Sequence, residues 1–150
     1  MKNSLLVFLI ISVIFIIISA SFNLFVQNKK PIATINNKTF ILDVAKTDEE
    51  KTIGLAKYDK LPQNMGMLFP FQVQDYYHFW MKDMKFPIDI IYIKDNKIVD
   101  IFTNCPRPLT PDENLKIYTP KTKSNFVLEI NANLSKTYNF KIGDTINLNI

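Results

Sequence analysis

The chain has 150 residues, 47% hydrophobic and 21% charged, which is a globular composition long enough for one domain plus an appendage. Its net charge of +4 comes from 18 Lys and Arg against 14 Asp and Glu, and the basic residues are scattered along the chain. Only Arg107 carries the guanidinium fork that phosphates and base edges favour, which argues against a nucleic-acid partner.

Residues 1–28 read as a targeting segment. No charge appears between Lys2 and Lys29. The run Leu5 to Ile18 has the length of a signal-peptide core, and Ser19-Ala20-Ser21 supplies small residues for a cut. Extended to Val26, the same run approaches the roughly 20 apolar residues that span a bilayer. Cleaved signal and uncleaved anchor both remain open, with the Ile and Phe content favouring an anchor that contacts membrane through residues 5–26. Either form implies an exported domain, periplasmic or on the outer face of the cytoplasmic membrane.

A single domain is expected over 29–150. Pro31 to Ile35 and Lys38 to Val44 flank Asn36-Asn37, the pattern of a two-residue hairpin. Thr47-Asp48-Glu49-Glu50 is a capping box opening a short helix to about Tyr58, and its acidic first turn suits the helix dipole. Further strands are expected at Met65 to Phe71, Tyr76 to Lys82, Ile88 to Lys94 and Lys97 to Asn104, the last two joined by Asp95-Asn96. After a Pro-rich loop come an edge strand at Lys116 to Thr119 and a core strand at Ser124 to Ile130 with Phe126, Leu128 and Ile130 inward. One helical turn within Asn133 to Phe140 and a last strand at Thr145 to Ile150 complete the chain. The sum is a mainly β fold, a sandwich or jelly-roll-like barrel of about nine short strands with one short helix, preceded by an N-terminal apolar helix.

The stretch Phe79 to Ile93 concentrates the chemistry. It holds the only Trp, and it sets Lys82, Asp83 and Asp89 in apolar sequence, where an unpaired charge is costly. Asp89 shares a face with Ile91 and Ile93 while Ile88, Ile90 and Tyr92 lie opposite, so neither face is plainly solvent. It reads first as an acceptor of backbone hydrogen bonds at the Pro87 corner, and second as an acid or base. Alternation places His78, Trp80 and Lys82 together. A Trp buried between sheets is the leading expectation there, and a platform for a sugar or headgroup the alternative.

Other templates fail by inventory. His78 is the only His, and Gly54, Gly66 and Gly143 make no phosphate loop, so a His-rich zinc site and a nucleotide cradle are excluded. Met65, Met67, Met81 and Met84 near His78 offer soft ligands for Cu(I), yet Met fills cores readily, and neither metal nor cofactor is expected. Cys105 excludes an intrachain disulfide and reads as a small apolar residue, with a reactive or intermolecular thiol as the alternative.

Gly66-Met67-Leu68-Phe69, Phe79-Trp80-Met81-Lys82-Asp83-Met84 and Phe86-Pro87-Ile88-Asp89-Ile90-Ile91-Tyr92-Ile93 occur in that order. With Gly54-Leu55, Ile98-Val99, Val127-Leu128-Glu129 and Gly143-Asp144, they resemble the signature of the domain of unknown function 192 family. The resemblance covers residues 32–150. It implies a small, frequently exported protein with a β-sandwich or jelly-roll-like core and no established activity. Where the family usually continues Gly-Leu with Met and, two positions later, Arg, this chain has Ala56 and Tyr58. The functional expectation is non-catalytic binding of a small-molecule or cell-envelope ligand near Trp80, Lys82, Asp83 and Asp89. The alternative is a small envelope enzyme using Asp89 or Asp83.

Overall fold

The structure is a computed structural model that describes residues 7, 8, 10–19, 30–110 and 114–150. The chain divides into two compact units, Met1–Lys30 and Pro31–Ile150. In the first, residues 10–19 are helical, with large apolar side chains exposed. Among the described residues no helix is long and apolar enough to cross a membrane. The rest of the expected targeting segment, including the Ser-Ala-Ser step past Ser19 and the extension to Val26, lies outside the described residues.

The second unit is mainly β. Strands β1 (Ile32–Ile35) and β2 (Lys38–Val44) form the expected hairpin. Asn36 and Asn37 take φ of 45° and 66°, the left-handed backbone that a two-residue primed turn requires and that Asn tolerates. Helix α1 (Asp48–Ile53) opens on the capping box: Thr47 accepts from the Glu50 amide, and Glu50 accepts from the amides of Thr47 and Lys46. A 3₁₀ turn over Gly54–Lys57 follows. Strand β3 (Met65–Asp75) returns parallel to β2 and antiparallel to β6 (Ser124–Asn131). Strands β4 (Ile88–Lys94) and β5 (Lys97–Cys105) form the second hairpin. Helix α2 (Leu134–Thr137) supplies the expected turn, and β7 (Ile146–Asn149) pairs with β1.

The strands make one seven-stranded sheet, ordered β5-β4-β6-β3-β2-β1-β7. It curls until its two edges touch: Lys97 bridges Thr145, and the Ile98 amide donates to Asp144 O over 3.0 Å. All seven strands send side chains into one inner core, among them Ala33, Phe40, Leu68, Ile91, Ile98, Leu128 and Ile146. A second apolar layer lies on the outer face, built on Met67, Phe69, Ile88, Ile90, Tyr92 and Val127.

Among the described residues seven strands form the sheet, where about nine were expected. The segments Tyr76 to Lys82 and Lys116 to Thr119 join no ladder of the sheet; they meet each other at the single bridge Phe79 to Tyr118, with N–H···O distances of 3.0 and 2.8 Å. They lie over the outer layer, and Tyr92 ties them down by donating its buried hydroxyl to Tyr118 O at 2.8 Å. Alternation along Tyr76 to Lys82 survives without a ladder because Phe79 and Met81 pack inward while His78, Trp80 and Lys82 stay exposed.

Asp89 is fully buried, and both carboxyl oxygens are taken by backbone amides. Oδ1 accepts from Asn104 at 2.8 Å and Asn133 at 2.9 Å, and Oδ2 accepts from Ser135 at 2.8 Å. One side chain thus joins the end of β5, the β6–α2 turn and the first turn of α2. Asp89→Ala would leave three amides without their acceptor. At about 1 kcal/mol or more for each orphaned donor, it is expected to lower unfolding free energy by about 3 kcal/mol or more. Urea denaturation measures this, and a loss below about 1 kcal/mol would contradict the lock.

Candidate functional site

The feature that sets the site is the burial of β4 and β6 on both faces. Leu128 and Ile130 point into the inner core, which sends Val127 and Glu129 to the outer face. That face is covered by α1, the 3₁₀ turn and the 76–84 segment, so Glu129 is only 4% exposed. Its Oε2 has no hydrogen-bond partner among the described residues. Burial alone pushes the carboxyl up to about 8. The shift favours the protonated form of Glu129 in the folded protein.

A cavity of about 300 Å³ opens above this carboxyl, at the lower end of the range for small-molecule sites. Its walls are aromatic. Phe69 and Phe79 meet edge to face at 5.0 Å, and Phe71 stacks on Tyr77 with centroids 3.5 Å apart. Trp80 stands at the wall with half of its surface exposed. Polar groups edge the same space: Asp48, Lys51 and Thr52 from α1, and His78 and Lys82 opposite. Lys51 Nζ lies 5.0 Å from the centre of the Phe71 ring, a cation held on an aromatic face. His78 is tied by Nδ1 to Thr119 Oγ1 at 2.8 Å.

Two glycines shape this region, Gly54 by its left-handed backbone and Gly66 by close approach. A Cβ on Gly54, whose φ is 54°, would stand 3.5 Å from the Phe69 ring and 3.9 Å from Glu129 Oε2. A Cβ on Gly66 would meet Glu129 O at 2.8 Å, too close for any side chain without a backbone shift. Beside them, Asp43 accepts from the Tyr58 hydroxyl at 2.7 Å and pairs with Lys57 at 2.7 Å, which fixes the 3₁₀ turn against β2. Burial opposes ionisation of Asp43, but Lys57 and Tyr58 outweigh it and hold the group below its usual range.

Of the residues singled out from sequence, Trp80 and Lys82 line the cavity, whereas Asp83 and Asp89 do not. Asp83 is exposed in a turn closed by the Met84 amide on Met81 O, with φ of 57°. The leading expectation of a buried Trp80 is corrected: the Phe79 to Tyr118 bridge turns it outward. Met67, Met81 and Met84 are buried in the outer layer, and among the described residues no group of three His, Cys, Asp or Glu could hold a metal ion. Cys105 is buried there too, its thiol pushed up to about 11 by desolvation, which leaves it a poor nucleophile.

Glu129 was legible only in part. A Glu between Leu128 and Ile130 invites the same question as Asp89, a charge in an apolar strand. Alternation alone gives it a solvent face, because nothing local reveals the cover laid over it.

The family model for domain of unknown function 192, described as an uncharacterized ACR, matches residues 31–148. The chain belongs to this family. No curated protein matches it. Among solved structures, a protein of unknown function from Novosphingobium aromaticivorans is 27% identical, with a TM-score of 0.67 over 79% of this chain and 83% of that one. A putative transcription regulator from Sinorhizobium meliloti is 23% identical, with a TM-score of 0.69 over 79% and 92% of the two chains, a likeness of fold alone. The curled-sheet fold is thus shared with other proteins.

Glu129 gives a pH signature. Its folded pKa of about 8 lies above the ordinary 4.5. Below 4.5 both folded and unfolded forms hold the proton, so the group is neutral in effect. Between 4.5 and about 8 the unfolded chain gives up its proton and the folded one does not, so stability falls as pH rises. The slope from this one group approaches ~1.4 kcal/mol per pH unit and flattens above the folded pKa. Urea midpoints of wild type and Glu129→Gln from pH 5 to 9 test it, since the difference between them should carry that slope. Parallel curves would contradict it.

Proposed function

We propose that this domain is a non-catalytic binding module that holds a small molecule in the aromatic cavity above Glu129. The observation that carries the reading is the aromatic cavity lined in part by Glu129, whose buried Oε2 has no partner among the described residues. A buried polar atom without a partner costs about 1–3 kcal/mol, and a ligand group that bonded it would recover that cost on binding. Trp80 and Lys82, at the mouth, belong to the same site.

The catalytic alternative has weaker support. Both oxygens of Asp89 are occupied by backbone amides, and Asp83 is in a solvent turn away from the cavity. An acid-base role would have to pass to Glu129. No nucleophile or second carboxyl is seen within hydrogen-bond reach of its Oε2 among the described residues. The reading extends to location: the uncharged run after Lys2 supports export, with the domain tethered at the membrane if the run is uncleaved. The finer description of the fold as a sandwich or jelly roll rests on the inner core that the curled sheet closes upon itself.

Trp80 is the only Trp in the chain and stands at the cavity, so its fluorescence is a direct probe. A small-molecule library titrated into the full chain is expected to yield compounds that shift Trp80 emission and shield it from acrylamide. By calorimetry, Trp80→Ala should weaken such a compound about tenfold, ~1.4 kcal/mol. If no compound changes the emission, or if Trp80→Ala binds as wild type does, the proposal fails.

A further inference from the structure

The chemistry of the lining narrows the ligand, and this step rests on the cavity being a small-molecule site. Two ammonium groups, Lys51 and Lys82, face it together with the carboxylate of Asp48, the Thr52 hydroxyl and the buried carboxyl of Glu129. A cationic ligand would meet Lys51 already seated on the Phe71 face. An anionic ligand would suit the two lysines but would bring its charge to Asp48 or to the desolvated base of the site. A hydroxyl both donates and accepts, so a ring bearing several of them can bond Asp48 on one side, the lysines on another and a carboxylic acid beneath. The half-exposed Trp80 offers such a ring an apolar surface to lie on.

We propose that the cavity takes a neutral polyhydroxylated ring of monosaccharide size, with its C–H face on Trp80 and one hydroxyl directed at the Glu129 carboxyl group. Size agrees, since about 300 Å³ admits one sugar ring and excludes a long chain buried end to end. Glu129 is the positioning group at the base. An amide in its place keeps one donor and one acceptor for the same hydroxyl, and an alkyl group keeps neither. Because the binding is by hydrogen bonds and ring stacking, salt should alter it little.

The test uses the full chain with glucose, N-acetylglucosamine, benzoate and phenethylamine, each followed by Trp80 emission and by calorimetry at millimolar concentration. At least one of the two sugars is expected to bind, and neither benzoate nor phenethylamine to bind as well. Glu129→Gln should hold that sugar within about threefold of wild type, while Glu129→Leu should weaken it about tenfold or more, ~1.4 kcal/mol. Binding of benzoate or phenethylamine without a sugar would overturn the polyol inference and leave the small-molecule reading standing. Binding of none of the four would also overturn it, the library screen then deciding the broader reading. A Glu129→Leu protein that remains folded and binds the sugar as wild type does would remove Glu129 from the site.

Discussion

A carboxyl group with an unpartnered oxygen under a protein's outer layer is an arrangement that folding works against. Moving such a group out of water penalises its charged form, and among the described residues no cation or amide offsets the penalty at Oε2. Glu129 is held in place by everything around it: β6 lies between β4 and β3 near the middle of the sheet, with Gly66 pressed on its backbone. The strand cannot slip by one residue without exchanging Leu128 and Ile130 for Val127 and Glu129 in the inner core. The acid is therefore fixed under the aromatic walls, and the cavity above it follows from that register.

The contrast with Asp89 is informative because the two carboxyls are neighbours in the pairing: Asp89 stands opposite Ile130 on β6, one residue from Glu129. Both are buried, yet one is surrounded by amides and the other by rings. Asp89 has spent its hydrogen-bonding capacity on three backbone donors and serves the fold. Glu129 keeps capacity in reserve beside a space of ligand size. Burial alone does not separate a structural acid from a binding one; the partner inventory does.

Much of the fold was legible in sequence. Asn36-Asn37 in the first hairpin and Asp95 in the second mark the turns through their tolerance of left-handed backbone, and Thr47 with Glu50 marks the start of α1. The run from Ile88 to Ile93 announces a strand buried on both faces, as β4 is. What sequence missed was tertiary. Tyr76 to Lys82 alternates like a strand but pairs only at Phe79, because Tyr118 and the Tyr92 hydroxyl hold it over the sheet. That cover turns Trp80 outward and puts Glu129 inside, and neither consequence is encoded within a few residues of either position. Trp80 and Lys82 were singled out from sequence, although Trp80 was expected to be buried and is half exposed; the acid beneath them was hidden by a cover drawn from residues about 50 positions earlier.

Desolvation is expected to keep Glu129 a neutral acid in the folded protein. Carbon-13 labelling of the glutamate side chains, with Glu129→Gln to assign the resonance, allows its carboxyl carbon to be followed directly as pH is raised. A single titration step centred near 8 is expected. A step near 4.5, the ordinary value, would show a solvated carboxylate and contradict it.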